Sequence, residues 1–138
     1  MENVVFIDTN IWCYYFDQSA EEHENVSKYL EALFSSTKVV VNTVIIIELA
    51  HYLIKNLGPI RGREKVDKLL QSDLVIQDFS LSQTIVAVTK LAEYSHTGIG
   101  GRDATILATM EELGIKQLVT HDHSFKQIDN ITVEDPIK

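Results

Sequence analysis

Two kinds of apolar pattern alternate along this chain. Val4-Val5-Phe6-Ile7 is an unbroken run of β-favouring residues, the signature of a strand buried on both faces. Lys38-Val39-Val40-Val41 and Gln117-Leu118-Val119-Thr120 repeat that signature. Residues 74–79 and 131–133 give weaker strand signals. Between the runs, apolar residues recur at helical spacing. Residues 21–34 place Val26, Tyr29, Leu30, Leu33 and Phe34 on one stripe, with acids on the other face. Residues 44–54 are apolar nearly all round, so this helix is expected to be largely buried, with Asn42 or Thr43 capping its start. Residues 59–70 open on Pro59, which suits a first helical turn. Residues 81–94 carry Ile85, Val88, Leu91 and Ala92 at helical spacing, and residues 102–113 stop at Gly114.

Strands alternating with helices imply parallel βαβ units, hence an α/β fold with a parallel sheet covered on both faces. In such folds, sites form beyond the carboxyl ends of the strands. With 138 residues, two prolines and no Gly- or Ser-rich tract, a single domain over 1–138 is expected. The opening MENVVFIDTN carries no basic leader, and no stretch approaches the roughly 20 apolar residues of a spanning helix. The lone Cys13 excludes an internal disulfide and reads as a packed core thiol. A cytoplasmic protein with no membrane partner is the expectation.

Acids placed at strand ends and on inward helix faces change that picture. Asp8 follows the first strand directly, and Asp122 follows the run Leu118-Val119-Thr120-His121. Either alone would be an ordinary loop or capping aspartate. Glu48 interrupts Val44-Ile45-Ile46-Ile47 and Leu49-Ala50, where an unpaired carboxylate would cost several kcal/mol. It needs a basic partner, a metal, or a gap in the packing. Asp103 shares a helical stripe with Ile106, Leu107 and Met110, which the helix dipole alone does not explain. Brought together, such acids would repel strongly, and hard divalent cations relieve that repulsion. An all-oxygen ligand set suits Mg²⁺ or Mn²⁺ rather than zinc.

At these residues the chain closely resembles the PIN-domain nucleases, including the toxins of VapBC-type toxin–antitoxin pairs. The resemblance runs from Asp8-Thr9-Asn10 through Glu48 and Asp103-Ala104-Thr105-Ile106-Leu107-Ala108-Thr109 to Thr120-His121-Asp122-His123-Ser124-Phe125. It implies an α/β/α sandwich around a parallel sheet of four to five strands. It also implies a metal-dependent endoribonuclease with Asp8, Glu48, Asp103 and Asp122 as its metal-binding, catalytic acids. Thr9, Asn10, Thr120 and Ser124 would be supporting polar neighbours, although many relatives carry another acid where Ser124 stands. RNA, an antitoxin protein and a second copy of the chain are the partners implied. An RNA-processing nuclease without antitoxin, and a silent PIN-like binding module, are the alternatives.

Charge bears on how RNA would be held. The net charge is −8, unfavourable for a diffuse phosphate-binding surface. Residues 55–68, however, hold Lys55, Arg61, Arg63, Lys65 and Lys68 against Glu64 and Asp67, a local surplus of +3. Arg61, Arg63, Lys65 and Lys68, with Arg102, are the RNA-contact candidates, the basic run being expected near one rim of the acidic pocket. His121 and His123 flank Asp122, and in an extended stretch both would point away from it. Surface or phosphate-contacting roles are expected for them rather than zinc ligation. Trp12, Tyr14, Tyr15 and Phe16 suit base stacking, core packing or an oligomer interface. A phosphatase using Asp8 as nucleophile ranks low, since such enzymes want a second aspartate where Asn10 stands. A phospho-receiver domain lacks its acidic pair and late lysine.

Overall fold

The computed structural model describes residues 3–137. Its strands are β1 (Asn3–Ile7), β2 (Thr37–Asn42), β3 (Val75–Gln77), β4 (Gln117–Val119) and β5 (Thr132–Glu134). Its α-helices are α1 (Thr9–Phe16), α2 (His23–Phe34), α3 (Thr43–Leu57), α4 (Pro59–Leu70), α5 (Leu81–Glu93) and α6 (Gly101–Leu113), and a 3-10 helix spans His123–Gln127. No described helix is long and apolar enough to cross a membrane.

The five strands form one parallel sheet in the order β3-β2-β1-β4-β5, with Val5 opposite Val39 and Phe6 opposite Leu118. Val5, Phe6 and Ile7 are all buried, as are Val39, Val40 and Val41, so β1 and β2 are covered on both faces. From β1 the chain steps outward to β2 and β3, then crosses back to β4 and β5. Right-handed crossovers taken in opposite directions put α1–α4 on one face and α5–α6 on the other. Their packing agrees: α1 meets α2 and α3, α3 meets α4, and α5 meets α6. The reversal falls between β1 and β4, which opens a crevice at their carboxyl ends.

Three elements depart from the sequence expectation. Helix α1 follows Asp8 directly and was not anticipated. It forms because Asp8 caps it, Oδ1 accepting from the Thr9 amide at 2.6 Å, and because Trp12 anchors it to the sheet. Trp12 is 2% exposed, donates Nε1–H to the Ile7 carbonyl, and stacks on Phe16 and Phe34, which makes these aromatics packing residues. Helix α3 is not buried all round. Ile45, Leu49 and Leu53 face the core, while Ile47 is 71% exposed. Helix α5 turns the face holding Leu81, Ile85 and Val88 to solvent and buries Gln83 and Ala87 instead. The reason lies in α6, whose buried Ala104 and Ala108 pack beside Ala87 and admit only a small-residue face.

Buried Gln83 is satisfied by a polar network that ties the two helical layers together. Asn42 caps α3, accepting from the Ile45 amide at 3.0 Å, and donates to Thr109 Oγ1 at 3.0 Å. Thr109 donates in turn to Gln83 Oε1 at 2.8 Å, and Gln83 donates to Glu112. At the α3–α4 contact Gly62 is the element of close approach. A Cβ there would lie 2.7 Å from the Ile54 Cα, so α4 touches α3 backbone to backbone.

Candidate active site

Strand β1 delivers Asp8 to the crevice as its last hydrogen-bonded position, the Asp8 amide donating to the Val119 carbonyl at 3.0 Å. Its side chain is fixed from several directions. Oδ1 accepts from the Thr9 amide, and Oδ2 accepts from Thr120 Oγ1 at 2.8 Å and, more distantly, from Asn10 Nδ2 at 3.5 Å. All three donors are neutral. Thr9 then bridges to α3, its hydroxyl donating to Glu48 Oε1 at 2.8 Å. Thr120 Oγ1 accepts from the Asp122 amide at 3.0 Å, so one hydroxyl positions two of the acids.

Asp122 sits just beyond β4 and caps the 3-10 helix. Its Oδ1 accepts both the Ser124 amide, at 2.9 Å, and the Ser124 hydroxyl, at 2.8 Å. Ser124 therefore acts as a donor to Asp122 through both its amide and its hydroxyl. Asp103 enters from the first turn of α6, where Oδ2 accepts from the Gly100 amide at 3.0 Å. It is buried, as its place on the inward stripe requires.

Asp103 is the electrostatic link among the acids, its charge bearing on Asp8 and Glu48 and that of Asp122 bearing on it. Burial pushes the Asp8 carboxyl up from 3.8 to about 6, against the Thr120 and Thr9 hydrogen bonds, and the Asp103 charge pushes the same way. Burial also raises Glu48, opposed by Thr9 and Arg102 and reinforced by Asp103. Asp103 is raised by burial, with the Gly100 amide opposing and the Asp122 charge adding to it. Cys13 nearby is pushed by burial to about 12, which leaves an inert thiol in the wall.

Arg102 is the basic partner that Glu48 requires. Its Nε lies 2.9 Å from Glu48 Oε2, with the glutamate side chain still 20% exposed. A cavity of about 560 Å³ opens here, walled by Asp8, Thr9, Asn10, Glu48, Tyr52 and Arg102, with Lys55 and His51 at its margin. The basic run divides around it. Lys55 reaches this cavity, whereas Lys65 and Lys68 line a separate recess against Tyr15 and Phe16 of α1. Arg63 is held by Asp67 at 3.2 Å on the exposed face of α4, and Arg61 is exposed on the same helix. The expected grouping of these residues on one pocket rim therefore fails for Lys65 and Lys68. The cause is geometric: α4 doubles back along α3, so successive turns of it travel away from Lys55.

The donor set fits a hard divalent cation. Asp8 is a buried acid whose hydrogen-bond donors are all neutral, and burial raises its proton affinity; a hard cation bound there would offset the cost of its charge. Both Glu48 oxygens are engaged, by Thr9 and Arg102, and among the described residues no three of these acids offer oxygens within 4.8 Å of one another. A trio that does meet that condition is His121, His123 and Asp135. The chain leaves the strand geometry after Val119, yet the two histidines still share a side and converge on an acid that the sequence pattern did not flag.

The PIN domain family model matches residues 5–131 of the chain. None of the curated proteins matches it. Among solved structures it is similar to Mycobacterium tuberculosis VapC20, described as a toxin that cleaves the sarcin-ricin loop. That likeness has a TM-score of 0.78 and 17% identity over 92% of this chain and 96% of the other. It is similar to VapBC2 from Rickettsia felis, solved bound to a promoter DNA fragment, at TM-score 0.76 and 25% identity over 96% and 98% of the chains. The DNA-bound VapBC of Salmonella typhimurium gives TM-score 0.75 and 22% identity over 99% of both chains.

Proposed function

Since the chain belongs to the PIN domain family, we propose that it is a divalent-metal-dependent endoribonuclease and the toxin of a toxin–antitoxin pair. One observation carries the catalytic part. Asp8, Glu48, Asp103 and Asp122 come from four separate elements at the sheet's switch point, where Thr9 links Asp8 to Glu48, Thr120 links Asp8 to Asp122, and the charge of Asp103 bears on Asp8 and Glu48. In this proposal Asp8, Glu48 and Asp103 ligate the cation directly once side-chain movement draws their oxygens closer than the structure holds them, with Asp122 direct or through water. A Mg²⁺ or Mn²⁺ ion held there would supply polarisation of a phosphoryl oxygen and a more acidic water.

The chain's own residues supply position. Thr9 and Thr120 lock the Asp8 carboxylate so that it needs no reorganisation when substrate arrives. Ser124 and Thr120 orient Asp122. Lys55 and Arg102 line the cavity and would be the main phosphate contacts of a bound RNA. Arg61 and Arg63 are kept as contacts for more distant phosphates. Attack of water in line with the scissile bond forms a new P–O bond and breaks P–O3′, leaving a 5′-phosphate on one product and, with a proton supplied net by the water, a 3′-hydroxyl on the other.

The partner part rests on the VapBC resemblance and on the Arg102–Glu48 pair. That pair is a guanidinium satisfying the acid that a cation would otherwise need. An Arg or Lys presented by an antitoxin segment would act in the same way, competing with cation and substrate together. The exposed apolar stripe Leu81-Ile85-Val88 on α5 supports a second copy of the chain as a further partner.

The test uses the full chain, labelled single-stranded RNA, and Mg²⁺ or Mn²⁺ added to metal-stripped protein. Cleavage should require the metal and fall by at least about a hundredfold in Asp103→Asn with the fold retained. Equal cleavage by that variant would show the activity to lie elsewhere.

A further inference from the structure

Strand β5 runs beside β4 with Val119 opposite Glu134, and the Thr120 amide donates to the Glu134 carbonyl at 3.0 Å. That register brings Asp135, the next residue, alongside His121. His121 Nδ1 lies 2.9 Å from Asp135 Oδ2, and His123 Nε2 lies 3.7 Å from the same oxygen. The Asp135 side chain is 3% exposed, while those of His121 and His123 are 37% and 68% exposed. Its other oxygen accepts from the Ile137 amide at 3.0 Å, which fixes the carboxylate plane and leaves Oδ2 aimed at the two rings. All three ligand atoms lie within 4.8 Å of one another.

We propose that His121, His123 and Asp135 form a binding site for a borderline transition-metal ion of the Zn²⁺ type, separate from the carboxylate cluster. Two imidazoles and a carboxylate are the donors such ions prefer, whereas Mg²⁺ is held by oxygen alone. A tetrahedral ion bonded at roughly 2.0–2.1 Å needs ligand atoms about 3.3 Å apart. The observed separations of 2.9 and 3.7 Å bracket that spacing, and the exposed His123 ring is free to close the difference by rotation. Three protein ligands leave a fourth position for water.

The surroundings give the site a structural consequence. The His121 amide donates to Asn10 Oδ1 at 3.3 Å, and the Tyr14 ring stands edge-on to His121 at 6.5 Å. Asp122 lies between the two histidines in the chain. An ion joining them to Asp135 clamps the loop after β4, and Asp122 with it, to the segment after β5. None of the carboxylate cluster's residues is shared, so the inference stands whether or not the nuclease proposal does.

The test reads metal binding rather than cleavage. Metal-stripped full-length protein is titrated with Zn²⁺ in excess Mg²⁺ by calorimetry, and the Co²⁺ form is examined for its ligand-field absorption. One equivalent of Zn²⁺ should bind, should persist in the Asp8→Asn/Asp103→Asn double variant, and should raise the melting temperature. His123→Ala removes an exposed ring and leaves the fold intact. It should weaken Zn²⁺ binding by at least about tenfold, the loss that even outer-sphere changes produce. Zn²⁺ that competes with Mg²⁺ and disappears with Asp8 and Asp103 would overturn the proposal, as would undiminished binding in both His121→Ala and His123→Ala.

Discussion

Replacing Asp8 by Asn should stabilise the metal-free protein at neutral pH while abolishing its response to Mg²⁺. Folding raises the Asp8 carboxyl from 3.8 to about 6, so ionising it in the folded state costs about 3 kcal/mol at neutral pH. Asn keeps the shape and removes that charge. It keeps only one acceptor oxygen, however, and must set its amide nitrogen against either the Thr9 amide or Thr120 Oγ1. Thr120 Oγ1 already accepts from Asp122, so the mismatch costs about 1–2 kcal/mol. The net gain is about 1–2 kcal/mol, roughly 3–8 °C in melting temperature for a 138-residue chain. The pH dependence has a defined sign. A carboxyl raised on folding holds its proton more tightly when folded, so its contribution is full below 3.8 and is lost as pH rises through about 6. The advantage of Asn should therefore be present near pH 7.5 and vanish or reverse near pH 4. Calorimetric melts of both proteins in chelator, at about pH 4, 5.5 and 7.5, measure this directly. Adding Mg²⁺ at the highest pH should raise the melting temperature of the parent and not of the variant. A difference between the two that does not change with pH would refute the reasoning, because burial of the charge could then not be its source.

Gly62→Ala should lower stability by about 2–4 kcal/mol in denaturant melts, because its Cβ would lie 2.7 Å from Ile54 backbone atoms; a loss under about 0.5 kcal/mol would mean that α4 shifts freely on α3. In the Asp8→Asn background, Lys55→Gln should flatten the salt dependence of RNA binding by about 0.7, whereas Lys68→Gln, in a different recess, should leave the slope unchanged. The opposite ranking would return RNA capture to α4. Arg102→Gln frees Glu48 Oε2 and should tighten Mg²⁺ binding several-fold by calorimetry even as RNA binding weakens. Unchanged Mg²⁺ affinity would mean that Glu48 does not join the cation.

Features that depend on a residue and its chain neighbours were legible in the sequence. Val4 to Ile7 and Val39 to Val41 show no polar face, which only a doubly covered strand permits, and Gly114 supplies the left-handed stop of α6 at φ 68°. Asp103 was identifiable because a helix has a fixed period, so its neighbours Ile106, Leu107 and Met110 declare which way it faces. Glu48 was identifiable as a charge that demanded a partner. That the partner is Arg102, from another helix, was not. Such facts are settled by which surface lies opposite. Ile85 and Val88 look like a core face until α6 presents alanines that admit Ala87 instead, and α3 looks buried until Ile47 finds no element above it. Lys55 and Lys68 belong to one basic run, yet the antiparallel return of α4 sends them to different cavities. Asp135 is joined to His121 only by the β4–β5 register, which a hydrogen-bonded ladder between strands fixes. Periodicity states how a residue faces its own axis. The packing of distant segments decides what it meets there.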